Sequence, residues 1–263
     1  MAEDFAGKVA LVTGGGNGIG AATCRALAAA GAEVAVLDRD RAAAERVAAE
    51  IAAAGGKAAS HALDVADGAL FRRIVTAVEA GSGGIDILVN CAGTTVRRTI
   101  DAMQQEDWER VIAVNLTGAF NGIQAVLPSL RQRGGGAIVN IASIAGRRIS
   151  FGGTANYTAS KAGLLGLTRH AAYELAPDRI RVNAVCPGPT ATAFGGAMRN
   201  AEEKAAAGRK IPLGRMVEPE DIADAVLFLA GPAARMITGV ALDVDGGVLI
   251  SNNVPYDEYF RRN

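Results

Sequence analysis

A tyrosine and a lysine stand four residues apart in "ANYTASKAG", residues 155–163. On a helix, the side chains of Tyr157 and Lys161 project from one face and approach each other. An ammonium group within about 4–6 Å of a phenol stabilises the phenolate, so we expect Lys161 to lower the pKa of Tyr157. A phenol tuned in this way exchanges a proton with an alcohol or a developing alkoxide. The pair therefore predicts acid/base chemistry at a hydroxyl or carbonyl carbon.

A serine extends this pattern. Ser143 ends the apolar run "GAIVNIAS", and ligands of parallel sheets bind at the carboxyl ends of strands. Its hydroxyl is placed to hydrogen-bond the substrate oxygen. A Tyr/Lys pair alone is common on helix surfaces, but the serine makes a site for interconverting an alcohol and a carbonyl compound. Such a reaction moves a hydride, and nicotinamide cofactors carry hydrides.

A glycine-rich loop, "TGGGNGIG" at residues 13–20, joins the first predicted strand to a helix. Glycines let the backbone turn tightly and approach a pyrophosphate, whose charge is favoured by the free N–H groups of a helix start. Gly14, Gly18 and Gly20 are spaced as GxxxGxG rather than GxGxxG. Glycine also simply makes turns, so the loop needs support from a second feature.

Asp38 supplies that support, because it ends the second predicted strand about 20 residues further on, where a carboxylate accepts hydrogen bonds from an adenosine ribose. The same carboxylate repels a 2'-phosphate, and Gly15, Gly16 and Asn17 offer no cation for one. We therefore expect NAD in preference to NADP. Arg39 is a candidate phosphate partner, so the strictness of the preference stays open, as does a simple helix-capping role for Asp38.

Short β-rich runs alternate with longer alanine-rich segments along the chain. The seven predicted strands are "KVALVTG", "EVAVLD", "AASHALDV", "IDILVNCAG", "GAIVNIAS", "IRVNAVCPG" and "GVALDVDGG". The predicted helices cover about 18–30, 40–54, 67–81, 104–131, 155–176 and 219–230. This alternation predicts an α/β fold with a seven-stranded parallel sheet covered on both faces, forming a single domain over 1–263. The long connection 189–218 is predicted to be a substrate lid, followed later by a tail at 248–263.

The composition argues against several kinds of partner. The 27 basic and 27 acidic residues cancel, so no overall positive field attracts nucleic acid or an anionic membrane. The amino terminus lacks a basic region before its apolar run, and we found no stretch approaching the roughly 18 apolar residues of a spanning helix. We expect a cytoplasmic protein that binds small molecules and copies of itself.

Metal binding and disulfides are also not expected. Cys24, Cys91 and Cys186 are far apart and odd in number, which indicates reduced thiols that serve in packing. His61 and His170 have no partners at metal-ligand spacing.

From Lys8 to about Gly247, the chain resembles the short-chain dehydrogenase/reductases. Their TGxxxGIG loop is similar to residues 13–20, and their "NNAG" is represented by "NCAG", with Cys91 substituted. The resemblance implies a doubly wound Rossmann sheet and a catalytic tetrad of Asn115, Ser143, Tyr157 and Lys161. Asn115 would hold a water beside Lys161, and Lys161 would also bind the nicotinamide ribose. Ser143 and Tyr157 are 14 residues apart where the family more often has 13.

The cofactor site follows from the glycine loop and the acid together with the resemblance. Its predicted residues are Gly14, Asn17, Gly18, Ile19, Asp38, Asp64, Val65, Asn90, Ala92, Gly93, Tyr157, Lys161, Pro187, Gly188 and Thr192.

The predicted substrate pocket is mostly small and apolar. Its residues are Thr95, Ser143, Ile144, Gly153 and Tyr157. We interpret Arg147 and Arg148, and the cations of the 189–218 segment, as solvated. Such a pocket favours a secondary alcohol, such as a polyol or cyclic diol, interconverted with its ketone by an NAD-dependent enzyme.

Three other hypotheses are kept. The first is reduction of 3-oxoacyl thioesters of coenzyme A or acyl carrier protein, the second a dinucleotide-binding scaffold without turnover, and the third a nucleotide-sugar epimerase with retained NAD. The resemblance implies a homotetramer built on the long helices and last strand. The aromatic tail residues Tyr256, Tyr259 and Phe260 either pack on a neighbouring subunit or fray.

Overall fold

The structure is a computed structural model that describes residues 5–149, 154–192, 194 and 200–251. A single parallel sheet of seven strands forms its centre, in the order β3-β2-β1-β4-β5-β6-β7. The strands are β1 Val9–Thr13, β2 Glu33–Asp38, β3 Lys57–Ala62, β4 Ile87–Asn90, β5 Gly136–Ile141, β6 Ile180–Pro187 and β7 Ala241–Val244. All seven lie within or beside the predicted runs, and the predicted sheet is confirmed.

Eight α-helices connect the strands in the described part of the chain. They are α1 Gly18–Ala29, α2 Arg41–Ala53, α3 Gly68–Ser82, α4 Gln105–Ile112, α5 Gly118–Gln132, α6 Ala155–Leu175, α7 Ala201–Gly208 and α8 Pro219–Ala230. Side-chain caps fix several starts: Asp40 accepts a hydrogen bond from the Ala43 N–H, and Asp67 accepts one from the Leu70 N–H.

Successive residues of each central strand pack into different cores. Val12 and Val36 belong to the core under α1 and α8, whereas Leu11 and Leu37 belong to the core under α3, α5 and α6. Side chains alternate across a strand, so a sheet with helices on both faces needs apolar residues at every position. This requirement explains why these strands read as continuous apolar runs.

The predicted helix over 104–131 is interrupted. Residues Ala113–Thr117 form a turn of π-helix between α4 and α5, and Asn115 is buried in it. Single π-turns inside α-helices occur frequently at functional sites. Taken together, α4, the π-turn and α5 form a helical stretch, Gln105–Gln132. By length and apolar composition this stretch is long enough to cross a membrane, which our reading of the sequence missed. Of its most apolar stretch 44% is buried within the fold, and α5 packs on α3 and β4, as a core helix does.

The two ends of the connection 189–218 pair with each other. Thr190 pairs with Val217 in an isolated parallel bridge, with the Ala191 N–H donating to the Val217 carbonyl at 2.8 Å. The described part of this connection contains α7, a helix that was not predicted. Its role as a lid stays a prediction. Most of the predicted tail, residues 252–263, lies outside the described residues.

Candidate active site

A cleft of about 1570 Å³ lies at the carboxyl ends of the strands. It is lined by the glycine loop, by the ends of β2 and β4, by the loop after β5, by the start of α6 and by segments 187–192 and 203–211. The order β3-β2-β1-β4 places the strand-order reversal between β1 and β4, directly under the glycine loop. Doubly wound sheets bind ligands at such a reversal.

The glycine loop has a backbone that other residues could not adopt. Gly14 and Gly18 have φ of +66° and +50°. A Cβ on Gly14 would lie 2.8 Å from Ala92 Cα, and one on Gly20 would lie 2.1 Å from the Gly14 carbonyl oxygen. The loop therefore packs closely on the end of β4 and on its own helix, leaving the first N–H groups of α1 directed at the cleft.

Asp38 lies beside this loop and, together with Ala43, leaves no room for a side chain at position 16. Its carboxylate accepts hydrogen bonds from the Gly16 and Asp40 N–H groups, both at 3.0 Å. A Cβ on Gly16 would lie 2.9 Å from Asp38 Oδ2 and 2.7 Å from Ala43 Cβ. A side chain, and hence a cation for a 2'-phosphate, is excluded at position 16.

Arg46 is a residue of this region that the sequence analysis missed. Its Nη2 atom donates to the Gly16 carbonyl at 2.7 Å and to Asn17 Oδ1 at 3.2 Å. It reaches the loop from α2, about 30 residues away in sequence. Asp38 ends β2 and Arg46 lies in the second turn of α2, and no spacing rule would have identified the contact with the loop.

Most of the predicted cofactor residues line the cleft. They are Gly14, Asn17, Gly18, Ile19, Asp38, Asp64, Val65, Ala92, Gly93, Tyr157, Lys161, Pro187, Gly188 and Thr192. Asn90 lies apart from them. Its side chain is buried in the sheet and donates to Asn140 Oδ1 at 2.9 Å, and Asn140 donates in turn to Thr168 Oγ1 at 2.9 Å. Asn90 therefore joins β4, β5 and α6 rather than facing the cleft.

Tyr157, Ser143 and Lys161 meet at the floor of the cleft. Tyr157 and Ser143 both line the cleft, and Lys161 Nζ lies 5.8 Å from the centre of the tyrosine ring. Lys161 is buried, and its ammonium donates to the Ile141 carbonyl at 2.7 Å. The serine comes from the end of β5 and the other two from α6, so two adjacent elements build the constellation.

The pKa of Tyr157 differs from our expectation. Burial raises the pKa of this phenol above its ordinary value, and the Ser143 hydrogen bond acts in the opposite direction. Burial also lowers the pKa of Lys161 to about 8. Lys161 loses its own charge before the phenol ionises, so it does not lower the tyrosine pKa as the helix spacing suggested.

The Asn115 side chain is held by three hydrogen bonds to the protein. Its Nδ2 donates to the Thr94 carbonyl at 2.9 Å and to Ser160 Oγ at 3.0 Å, while its Oδ1 accepts from the Thr94 N–H at 2.7 Å. Both amide N–H donors are used by the protein, and the expected role of Asn115 in holding a water stays a prediction. The side chain instead fastens the loop after β4 to α6, one residue before Lys161.

Asn156 is a second residue that the sequence analysis missed. It is fully buried, and its Oδ1 accepts from the Tyr157 N–H at 2.7 Å and lies 2.6 Å from Thr154 Oγ1. Its Nδ2 donates to the Asp107 carbonyl of α4 at 3.3 Å. Asn156 thus fixes the first turn of α6, which carries Tyr157. Its position beside the tyrosine was the one available signal.

The predicted substrate pocket is found in part. Thr95, Ser143, Ile144 and Tyr157 line the cleft, and Gly153 lies outside the described residues. The ring of Phe194 lies 6.0 Å from the Tyr157 ring at 47° and is half exposed. Phe194 and Ile149 add apolar surface that the sequence analysis did not assign.

The three cysteines are free thiols, as Cys24, Cys91 and Cys186 were predicted to be. Burial raises the pKa of Cys91 to about 12 and also raises the pKa of Cys186. Cys91 lines the cleft beside Lys161 as a neutral thiol. Among the described residues, no group of three histidine, cysteine or acidic side chains is placed to hold a metal ion.

The comparisons with known proteins agree with this geometry. A family model described as enoyl-(acyl carrier protein) reductase matches residues 14–249. The chain is 44% identical to a mouse (3R)-3-hydroxyacyl-CoA dehydrogenase, over 92% of this chain and 96% of that protein. It is 40% identical to a D-threitol dehydrogenase of Mycolicibacterium smegmatis, over 93% and 94% of the two chains. A crystal structure of a short-chain type dehydrogenase/reductase from Mycobacterium marinum superposes with a TM-score of 0.88 at 38% identity, covering 94% and 98%.

The fold and these similarities define an oxidoreductase with a Rossmann-type dinucleotide cleft. The chain belongs to the short-chain dehydrogenase/reductase family, whose members here act on CH–OH groups.

Proposed function

We propose that this protein is an NAD-dependent oxidoreductase that interconverts a secondary alcohol and its ketone, with Tyr157 as the acid/base. One observation carries the proposal: Tyr157 and Ser143 line the same dinucleotide cleft, and the Lys161 ammonium is buried 5.8 Å from the centre of the tyrosine ring. Two hydroxyl groups converging on one point can hold a single substrate oxygen.

The two hydroxyls have distinct tasks. In oxidation, the Tyr157 phenolate accepts the substrate O–H proton and becomes the phenol, while Ser143 holds the substrate oxygen in place. In ketone reduction, the Tyr157 O–H bond breaks and its proton joins the alkoxide. When bound, the nicotinamide cofactor accepts the hydride from the carbinol carbon and returns it in the reverse reaction. The raised pKa of Tyr157 favours the protonated phenol, which is the form that acts as the acid in ketone reduction, whereas oxidation requires the phenolate.

Lys161 supports Tyr157 in two ways. Its ammonium keeps a positive charge near the phenol below pH 8, and its remaining N–H donors are available to a ribose hydroxyl. Its hydrogen bond to the Ile141 carbonyl fixes the ammonium to the end of β5, beside Ser143. Asn115 and Asn156 act as positioning residues, because Asn115 joins the loop after β4 to α6 and Asn156 joins the start of α6 to α4.

The residues present fit a dinucleotide. The crowded glycine loop leaves its N–H groups for a pyrophosphate, and the Asp38 carboxylate at the end of β2 suits two ribose hydroxyls. A 2'-phosphate would face this carboxylate, and position 16 has no space for a compensating cation. These features support NAD over NADP.

The substrate proposal is a polyol, a cyclic diol or a similar secondary alcohol. The cleft next to Ser143 combines small and apolar residues, and one relative is a D-threitol dehydrogenase. The second candidate is the 3-oxoacyl thioester reductase activity, favoured by the relative that acts on (3R)-3-hydroxyacyl-CoA. A scaffold without turnover is the remote alternative, because every group of the proposed machinery is present.

We further propose a homotetramer. Trp108 of α4 and Phe120 of α5 are 38% and 44% exposed although large and apolar, and Tyr173 of α6 is 86% exposed. Exposed aromatic side chains on adjacent long helices are typical of subunit contacts.

A substrate panel tests the activity. Secondary alcohols, diols and sugars are offered with NAD or NADP, and reduced nicotinamide is followed by absorbance. We expect turnover of at least one secondary alcohol with NAD preferred. Turnover of 3-hydroxyacyl thioesters alone would favour the second candidate. Absence of turnover with cofactor still bound would favour the scaffold.

A further inference from the structure

Several cations line the cleft besides those at the cofactor residues. Apart from Arg39 at the adenine end and Lys161, they are Arg97, Arg110, Arg148 and Lys210. In the described part of the cleft, the acidic side chains are Asp38 and Asp64 at the adenine end, and Glu203 on α7. Outside the adenine end, the described lining therefore has more cations than carboxylates.

Neighbouring arginines in the loop after β5 face in different directions. Arg147 turns to β7, where its Nη2 donates to the Ala241 carbonyl at 2.6 Å and its Nε lies 2.9 Å from the Asp243 carboxylate. Arg148 lines the cleft instead, and it forms no ion pair within the ranges that the structure describes. Our sequence analysis treated both as solvated; Arg147 is exposed although ion-paired, whereas Arg148 is half-buried in the cleft.

Arg148 lies close to the catalytic constellation. It follows Ser143 by five residues in a tight turn, with the Arg148 N–H donating to the Ile144 carbonyl at 3.1 Å. Its side chain is half-buried, so a charge-assisted contact there is less screened than one on the open surface. Lys210 also lines the cleft, and the next residue, Ile211, packs in the same core cluster as Ile144.

Thr95 adds a buried hydroxyl to the lining of the cleft. Thr95 lines the cleft, and its Oγ1 atom is buried without a hydrogen-bond partner. The segment carrying it is fastened to the start of α6 by the bond from Thr154 Oγ1 to the Val96 carbonyl at 2.7 Å. A buried hydroxyl without a partner is costly, and a polar group of a bound substrate would satisfy it.

We propose that the alcohol converted at this site carries an oxyanion, bound by Arg148 within the positive field of Arg97, Arg110 and Lys210. Thr95 donates to the same substrate. This inference rests on the proposed function and specifies its substrate class as an anionic hydroxy compound rather than a neutral polyol. The oxyanion is either a carboxylate on the substrate skeleton or a phosphate of a carrier thioester, which share this chemistry.

The test compares charged and neutral probes of matched shape. The carboxylate pair is 4-hydroxycyclohexanecarboxylate and its amide. The carrier pair is 3-hydroxybutyryl-CoA and the 3-hydroxybutyryl N-acetylcysteamine thioester, which lacks the phosphates. Each is assayed with NAD on the wild type, on Arg148→Gln and on Arg73→Gln. Arg73 lies exposed on α3, away from the cleft, and serves as the matched control.

We expect the anionic member of one pair to have a kcat/KM about tenfold or more above its neutral partner, as for a charge-assisted contact. Arg148→Gln should remove that preference while leaving the neutral partner within about twofold, and Arg73→Gln should retain it. The pair that shows the preference identifies the source of the oxyanion. Equal turnover of charged and neutral members in both pairs would overturn the inference while leaving the proposed function intact.

Two further measurements separate the remaining outcomes. An increase in the KM for NAD in Arg148→Gln, with the substrate preference unchanged, would mean that the arginine serves the cofactor phosphates and would overturn the inference. If no probe is turned over, titration calorimetry of the NADH complex with cyclohexanecarboxylate, cyclohexanecarboxamide and coenzyme A decides. Binding of either anion at least tenfold tighter than the amide supports the oxyanion site, and equal or undetectable binding overturns it.

Discussion

Lys161 is buried, and burial disfavours the positive charge that its proposed role beside Tyr157 requires. Its ammonium is buried, and its pKa is lowered from 10.5 to about 8. Below pH 8 the folded protein bears the cost of a buried charge. Between pH 8 and 10.5 the unfolded chain holds a proton that the folded chain has released, so stability rises with pH in this window.

We therefore expect the stability of the wild type relative to Lys161→Met to increase with pH. The difference in unfolding free energy should grow by about 1.4 kcal/mol per pH unit between pH 8 and 10.5. The free carbonyl left at Ile141 affects the variant equally at every pH. Thermal unfolding of both proteins from pH 7 to pH 10 measures the trend, and a constant difference would show that the lysine has its ordinary pKa.

Asp38 sets the cofactor preference by charge. In Asp38→Ser the carboxylate that faces a 2'-phosphate is gone, while Gly16 stays too crowded to gain a cation. We expect the ratio of kcat/KM for NAD to that for NADP to fall about a hundredfold, since a like-charge contact costs several kcal/mol. Asp40→Ser, which changes an acid two residues away that caps α2, is the control. An unchanged ratio in Asp38→Ser would show that another residue selects the cofactor.

Single residues show where sequence was sufficient and where it was not. The Tyr157–Lys161 spacing and the glycine loop fix backbone geometry, so helix periodicity and glycine conformations predicted their placement. The tyrosine pKa depends on burial, which the spacing does not contain. The contact of Arg46 with Gly16 and the divergence of Arg147 from Arg148 depend on how elements pack.

At the scale of elements, Asp86 joins the sheet to α5 at the end opposite the active site. Its buried carboxylate accepts from the Val9 N–H at 3.0 Å, from Lys8 Nζ at 3.0 Å and from the Arg133 guanidinium at 3.0 Å. Asp86 directly precedes β4, and Val9 begins β1. The carboxylate therefore fixes the start of β1 against the start of the neighbouring strand β4. Removing it leaves a buried N–H without a partner and two cations without their counterion.

We expect Asp86→Ala to lower the free energy of unfolding by roughly 2–3 kcal/mol without changing the KM for NAD. Asp178→Ala removes an exposed partner of Arg131 and should cost less than about 1 kcal/mol. Thermal unfolding at equal protein concentration compares them. Equal shifts in the two variants would mean that the buried network does not stabilise the sheet.

The sequence predicted the strands and the longer helices, but not the π-turn within a helix or the short helix α7. The alternation of strands and helices follows from apolar runs that two cores require, and each run had enough residues to be recognised. The π-turn at Ala113–Thr117 adds no unusual residue type to its helix, and the sequence therefore read as one continuous helix over 104–131. The short helix α7 lies in a segment read as a connection, because its eight residues are too few for a clear period.

At the scale of the whole molecule, we predict that four copies of the chain form a homotetramer. Light scattering after size exclusion should give a mass about four times that of one 26.8 kDa chain. Deletion of residues 252–263, with their three aromatic side chains, should reduce the mass or raise the KM for the substrate if the tail packs on a neighbouring subunit. A truncated protein with unchanged mass and KM would contradict the role proposed for the tail.

The central claim is that the Tyr157 hydroxyl transfers the proton of an NAD-dependent alcohol oxidation, and Tyr157→Phe tests it most directly. The substitution removes one oxygen and retains the ring beside Phe194. Steady-state turnover is measured together with NADH binding by fluorescence, and Tyr173→Phe, on the exposed end of α6, is the control. We expect kcat to fall by about a thousandfold or more, as for loss of a general acid/base, with NADH affinity within about twofold. A Tyr157→Phe enzyme that keeps its turnover would contradict the account.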